Sequence, residues 1–576
     1  MTLLQNKKLL ALFLISFLTV VLYGNTLDVP FYFDDETSIV ESSVIHTGAL
    51  SDIYQAYKLR FVGYWTFALN YQYGGGDVTS FHITNIVIHF INGLLVYWIC
   101  ALLFKFRPER GGVLDISEKW LPLLAALVFI SHPLHTQAVT YIVQRSASLT
   151  ALFYLVSVIA YVHCRIVKSK VRLVVWFCTL VISALLAIFT KQNAFTLPIV
   201  LFLTEVVLFR KLSNNQIVSI LLAPFLILAG TCLLTPETLS VLDDLTTETK
   251  SYSRIEYFFA QANVLWIYIA KFFYPVPLRL EYLYDQHSFS NTQSYIALLA
   301  HLIVISSALL FSKRYSLICF GVLFYYSTML VESSIIPIQD MAVEHRTYLP
   351  NVGLIIALMG LSSLLLEHCS SDKRKIYLFF VCSVFVVGAF SLLTYQRNEQ
   401  WRDPITFYKH ELKYGPDNPR VLNNLADAYF EIEEIDKALP LLKHSLSIDA
   451  ENLTNTQAVN MLAMLIGYKK YEEAEELGES LINKIKRPFL KRGVLVNLGI
   501  MHLEQNQLEK SEVAFKRALN FKPITAKVML GLAVSLAKQG KFDEAEFYTT
   551  QVIKVEPNNA GAKKLFNQIR QARQNE

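Results

Sequence analysis

The chain has 576 residues, of which 53% are AVILMFWYC and only 17% are Asp, Glu, Lys or Arg. A soluble domain carries about 25% charge, so this composition excludes a wholly soluble protein, a disordered chain and a collagen-like repeat. The formal net charge of +5 is too diffuse for a nucleic-acid surface.

The charge is unevenly spread. The last 175 residues, from Arg402 onward, hold 48 of the 99 charged side chains. A membrane-like part over 1–400 is therefore predicted ahead of a water-soluble part over 401–576. The seven cysteines show no CxxC and no Cys/His spacing, so they support neither a zinc site nor a disulfide framework. Six of them lie in or beside apolar stretches, as small packing residues.

Apolar stretches long enough to span a bilayer fall near 9–24, 82–104, 120–138, 148–164, 173–189, 194–209, 216–234, 294–312, 316–331, 349–366 and 376–395. The first follows Lys7-Lys8 and is not trailed by an A-x-A-like cleavage site, so it reads as an uncleaved span. With Lys7-Lys8 inside, Lys105/Arg107/Arg110, Arg165/Lys168/Lys170/Arg172, Arg210-Lys211, Lys313-Arg314 and Lys373-Arg374-Lys375 all fall on the same side. The stretch 257–274 is also apolar, but it contains Gln261, Asn263 and Lys271. Counting it as a span would move the last two basic clusters outside, so it reads as a re-entrant or interfacial helix. The expected topology is about eleven spans in the cell (inner) membrane, with the N-terminus cytoplasmic and the C-terminal part extracytoplasmic.

That C-terminal part repeats about every 34–37 residues. Leu425-Ala426, Tyr429, Ala438 and Leu442 fit the small/large pattern of a tetratricopeptide repeat (TPR). Leu498-Gly499, Phe515, Ala518 and Pro523 fit it again, as do Leu532-Ala533, Ala545 and Pro557. A degenerate copy surrounds Met461, Leu465 and Ala474. A lone helix pair cannot bury its apolar face, so about four repeats are expected to stack, with 560–573 as the capping helix. The predicted fold class is all-α: a polytopic helical membrane domain followed by a TPR α-solenoid. Grooves of such solenoids bind peptides or extended protein segments.

Polar residues within the membrane part gather on the predicted outer side, where they are informative because they are costly in a bilayer. Asp34-Asp35-Glu36 follow the first span, and Arg60 precedes Tyr64 to Asn70. His82, Asn85 and His89 share one face of the second span. His132, His135, Gln137 and Arg145 lie in the next outer loop, followed by Lys191-Gln192-Asn193 and Glu344-His345-Arg346. Such a surface suits group transfer from a lipid phosphate. Arg145, Lys191, Arg346 and Arg60 are candidate phosphate-binding cations. One carboxylate of the acid pair serves as base for an acceptor hydroxyl, and the departing phosphate needs little protonation. Asp35 is favoured as base, because Asp34 is better placed to cap the following turn. His82, His89, His132, His135, Glu344 and His345 are candidate supporting residues. No metal-ligand set is assigned, and a divalent ion is left open.

The same residues have a second reading. The acids fit a helix cap, the histidines fit hydrogen bonding between membrane helices, and Arg145 and Lys191 fit boundary side chains. Glu205 reads as a structural residue near Arg210.

The ordered segments Phe33-Asp34-Asp35, Leu69-Asn70-Tyr71, FHITNIVIHFING (81–93), HPLHTQAVTYIVQRSASL (132–149), TKQNAFTLP (190–198), EHRTYLPNVG (344–353) and RNEQW (397–401) are followed by TPRs. In this the chain resembles the transmembrane-and-TPR-containing O-mannosyltransferases and their bacterial relatives, within the GT-C glycosyltransferase superfamily. The resemblance implies a polyprenyl-phosphate-linked sugar donor, an inverting transfer to an extracytoplasmic hydroxyl, and a catalytic acid in the first outer loop. The acceptors it implies are protein Ser/Thr hydroxyls; a glycan or lipid acceptor and a non-catalytic TPR scaffold are the alternatives. The family often has Lys-Glu where this chain has Lys191-Gln192, which leaves the local charge more positive here.

Overall fold

The structure, a computed structural model, describes residues 2–105, 114–209, 253–282, 284, 288–369, 372–448, 457–485, 487–522, 524–557 and 559–574. It divides into two compact units, Met1–Asp403 and Pro404–Glu576. Both are built from helices; among the described residues the β content is one isolated bridge, Tyr282 to Ala342.

The principal helices of the first unit are α1 (Thr2–Tyr23), α2 (Phe61–Gly74), α3 (Val78–Phe104), α4 (Leu114–Ser131), α5 (Arg145–Ile166) and α6 (Lys170–Ile188). They continue as α7 (Leu197–Thr204), α8 (Arg254–Phe273), α9 (Asn291–Phe311), α10 (Ser316–Met329), α11 (Pro350–His368) and α12 (Lys373–Trp401). Among the described residues, eight helical stretches are long and apolar enough to cross a membrane, or nine if a bent pair counts as one span. The bend, 54°, separates Trp120–Ser131 from Pro133–Thr140. Its cause is local: His132 precedes a proline and is pushed to extended backbone (φ −73°, ψ 121°). At 14 residues α10 rises only about 21 Å, short of a hydrocarbon core of about 30 Å. The expected span 216–234 lies outside the described residues, as do Arg210-Lys211.

α8 is not among those spanning candidates. Ser253 and Glu256 close a capping box at its start, and it buries Tyr257, Ala260, Val264 and Tyr268 against Tyr325, Met329 and Met341. Glu205 pairs with Arg165 in a two-pronged contact (2.7 and 3.1 Å), so its partner is Arg165 on α5.

Polar side chains tie helix ends together near the acid loop. Thr394 donates to the Ser131 carbonyl (2.7 Å), and Asn398 donates to the Leu22 carbonyl (2.8 Å) while accepting from Thr140 (2.7 Å). These bonds fix the end of α12 against the ends of α1 and α4. Close approach also matters at Gly321 on α10 and Gly353 on α11. A Cβ on Gly321 would meet the Gly353 carbonyl at 2.4 Å, and one on Gly353 would meet the Gly321 carbonyl at 2.6 Å. The two helices touch backbone to backbone, as small residues permit in membrane bundles.

The second unit begins with a helix the repeat pattern did not announce, α13 (Pro404–Tyr414), packed on the first repeat. Four helix pairs follow: α14 (Pro419–Glu431) with α15 (Ile435–Ile448), α16 (Gln457–Gly467) with α17 (Tyr471–Lys484), α18 (Pro488–Glu504) with α19 (Leu508–Leu519), and α20 (Ala526–Lys538) with α21 (Phe542–Val555). α22 (Ala560–Gln574) closes the array. Leu425, Tyr429, Ala438, Leu442, Met461, Leu465, Ala474, Leu498, Phe515, Ala518, Leu532 and Ala545 are all buried. Pro523 lies outside the described residues.

Candidate active site

The loop after α1 carries the acid pair and is held on both sides. The Tyr32 hydroxyl donates to the Trp401 carbonyl (2.5 Å), and the two rings meet edge to face with centroids 5.2 Å apart. Phe33 then takes φ +47°, a left-handed conformation rare for an aromatic residue. Such a residue stores of order 1–3 kcal/mol and persists only where its surroundings hold it. Here the Asp34 N–H donates to the Tyr141 hydroxyl (3.0 Å) and the Asp35 N–H to the Tyr32 carbonyl (2.9 Å).

The twist sends the two acids to different environments. Asp35 is 1% exposed; one oxygen accepts from the Tyr32 N–H (3.1 Å) and the other from the Val143 N–H (2.7 Å). Asp34 is exposed. The two acids meet different surroundings, and the one that accepts backbone N–H bonds is Asp35 rather than the expected Asp34, which is exposed. The left-handed turn at Phe33 is the reason, and nothing in residue type announces it. Burial pushes the Asp35 carboxyl well above the ordinary carboxylate range, against the two backbone N–H groups; the charges of Asp34 and Glu36 add to the rise.

The four candidate cations separate in the same way. Arg145 is fully buried and committed. Its Nε donates to Asn85 Oδ1 (2.6 Å), one terminal nitrogen to Asn70 Oδ1 (2.6 Å) and Thr66 Oγ1 (3.1 Å), and the other to the Phe81 carbonyl (3.0 Å). Its guanidinium also lies 4.5 Å from the centroid of the Phe67 ring. This corrects the expectation of a phosphate ligand: Arg145 is the knot joining α2, α3 and α5. Lys191 forms an ion pair with Glu332 (2.5 Å), both side chains largely buried. Arg346 is buried and donates to the carbonyls of Asp340 (2.7 Å) and Met341 (3.3 Å). Arg60 is exposed at the start of α2.

His345 lies within the electrostatic reach of Lys191, Arg346 and Arg60. The charges of all three act on its imidazole, and with burial as the largest cause they hold it well below its usual range. Lys191, Arg346 and Arg60 thus share one electrostatic neighbourhood around His345, while Arg145 is bound up among α2, α3 and α5.

The remaining candidates are framework. His82 bonds the Val29 carbonyl (2.8 Å), His89 the Tyr348 hydroxyl (2.6 Å), His132 the Phe272 carbonyl (3.0 Å), and His135 the Phe129 carbonyl (2.8 Å) and Asn351 (3.2 Å). These are the bonds between helices that the second reading of the sequence describes. Glu344 accepts from the Arg279 N–H (2.7 Å) and the Tyr282 hydroxyl (2.9 Å). Gln137 joins the same layers, donating to the Leu280 carbonyl (2.7 Å) and accepting from the His345 N–H (2.8 Å). Among the described residues no group of three or more His, Cys, Asp or Glu is placed to hold a metal ion. Sequence reasoning missed Glu332 and Tyr141. For Glu332 a signal existed: Lys191 lacks an acid beside it, and the short loop before Glu344 offers few others.

The fold defines a helical membrane protein with a TPR region. Residues 419–452 match the family described as Tetratricopeptide repeat. Over 93% of its length the chain is 22% identical to "Protein O-mannosyl-transferase TMTC3" of Mus musculus, covering 63% of that protein. It is 24% identical to "Protein O-mannosyl-transferase F38B6.6" of Caenorhabditis elegans, over 72% of this chain and 59% of that one. Against "Protein O-mannosyl-transferase tmtc2" of Xenopus laevis it is 29% identical, over 37% and 26% respectively. The chain spans less than two-thirds of the length of these curated relatives.

Proposed function

We propose that the chain is an integral-membrane glycosyltransferase of GT-C type. It moves a sugar, mannose on the strength of the relatives' names, from a polyprenyl-phosphate donor to hydroxyls of an extracytoplasmic protein. What supports this reading is the exposed carboxylate of Asp34, on a loop pinned by the Tyr32–Trp401 and Asp35–Val143 bonds, together with the likeness to protein O-mannosyl-transferases over 93% of the chain. Asp34 takes the proton of the acceptor hydroxyl as its oxygen bonds to the anomeric carbon. The bond from that carbon to the phosphate oxygen breaks, and the polyprenyl phosphate departs with the electron pair. Attack from the face opposite the phosphate inverts the anomeric centre. Lys191 is already neutralised by Glu332, so the phosphate charge falls chiefly to Arg346 and Arg60. Asp35 acts at one remove, holding the loop so that Asp34 stays outward. The TPR unit binds the acceptor or a partner protein.

The test is transfer from decaprenyl-phosphate mannose to a Ser/Thr-rich peptide by the purified full chain. Product from the wild type is expected, and none from Asp34→Asn, with donor binding retained. Undiminished transfer by Asp34→Asn removes Asp34 as base. No transfer by the wild type to peptide, but transfer to a glycan or lipid, reassigns the acceptor.

A further inference from the structure

Glu332 presents a chemical problem that its ion pair does not solve. It is 5% exposed, and one carboxylate oxygen is taken by Lys191. The other, Oε2, is buried with no hydrogen-bond partner. The same is true of Nδ1 of His345, which is 9% exposed, and of Oγ of Ser333, the residue after Glu332. An unpaired buried polar atom costs about 1–3 kcal/mol, and more when charged. Such atoms in a native fold point to a group that fills them.

Their chemistry says what that group is. A carboxylate only accepts hydrogen bonds, so Oε2 requires a donor and repels a phosphate. His345 is neutral, because burial and three cations oppose its protonation, so it offers one donor and one acceptor. Serine offers one donor and two lone pairs. An acceptor-only atom beside neutral donor–acceptor groups matches a set of alcohol hydroxyls. Arg346, which feels the charge of Glu332, matches an anion, as does the exposed Arg60. We propose that Glu332, with His345, is the sugar-recognition subsite: Oε2 accepts from a ring hydroxyl of the donor sugar while these cations hold its phosphate. The Lys191 pair holds Oε1 in place, and thereby fixes where the unpartnered Oε2 presents itself to the sugar.

This inference rests on the transferase reading, and two lipids separate their failures. Decaprenyl phosphate carries the anion alone; decaprenyl-phosphate mannose carries anion and sugar. The full-length wild type is expected to bind the mannosylated lipid more tightly. Glu332→Gln is expected to lower the ratio of the two affinities at least tenfold, whereas Arg346→Gln weakens both lipids together. Wild-type binding of both lipids with equal affinity, or an unchanged ratio in Glu332→Gln, overturns the subsite and leaves the transferase reading standing. Binding of neither lipid by the wild type overturns both. Should Glu332→Gln not fold, the wild type itself is tested with the four monodeoxy-mannosyl lipids lacking the 2-, 3-, 4- or 6-hydroxyl. Loss of the hydroxyl that meets Oε2 is expected to weaken binding about tenfold or more, because it leaves a charged oxygen bare. Four analogues all within about twofold of the parent, against the roughly tenfold cost of a lost charged hydrogen bond, overturn the proposal.

Discussion

In the repeat unit, ion pairs run along the surface from one repeat to the next: Lys443 on α15 reaches Glu476 on α17, and Lys510 on α19 reaches Glu475 on the same α17. Their side chains are half in water, 44% and 66% exposed in the first pair. In the membrane unit, Lys191 and Glu332 meet at 13% and 7% exposure, and Arg145 is buried wholly among neutral acceptors. Exposed pairs of the first kind are worth about 0–1 kcal/mol each and respond to salt. Groups of the second kind cannot exchange partners with water, so losing one partner costs several times more. Charge decorates one unit and organises the other.

That contrast sets the expected effects in order. Asp34→Asn tests the base and should lower turnover by about 10²–10⁴ with donor affinity retained. A loss below tenfold would make the acid loop as dispensable as the surface ladder. Arg145→Met strands the oxygens of Asn70 and Asn85 and the Phe81 carbonyl. It should cost about 1–3 kcal/mol for each acceptor left bare, read as a lowered unfolding temperature in detergent or loss of folded protein. If instead it folded stably and only donor binding fell, Arg145 would return to the phosphate site.

Asp35 gives a sharper probe, because its signature is a pH dependence. Above the ordinary carboxylate range, the raised Asp35 carboxyl keeps its proton in the folded chain while the unfolded chain has released it. Its contribution to stability therefore falls as pH rises through that window, up to the raised value. Asp35→Asn should flatten this slope in unfolding temperatures recorded from acidic to neutral pH. An unaltered slope would mean that Asp35 does not carry it. At the small end stands Lys443→Ala, expected to change repeat-unit stability by less than about 0.5 kcal/mol and less still in high salt. A loss above about 2 kcal/mol, beyond any exposed pair, would erase the contrast between the units.

The parts legible in the sequence were those written in periodicity. Leu425, Tyr429, Ala438 and Leu442 recur by the repeat and are buried by it, and the apolar runs fold as helices because little else can satisfy their backbone in a bilayer. Asp34, Asp35, Lys191 and Arg346 stood out as charges in costly places. What stayed hidden depends on direction. The roles of Asp34 and Asp35 turn on one dihedral at Phe33, and Arg145 looks as free as Arg60 until Asn70, Asn85 and Phe81 are seen around it. Glu332 was passed over because its partner is 141 residues away in the chain, although the unpaired Lys191 hinted that an acid was needed.

The contact between Gly321 and Gly353 reaches further than the helices it joins. Glu332 follows α10 by three residues, and Arg346 precedes α11 by four. The backbone touch between these helices is thus a gauge block for a pair of residues neither glycine approaches in sequence. An alanine at 321 needs room that its neighbours do not have, so the helices must part. The same shim would widen the gap between carboxylate and guanidinium. If Glu332 and Arg346 hold sugar and phosphate as proposed, a methyl group in the bundle changes which lipid is chosen with no residue of the site replaced.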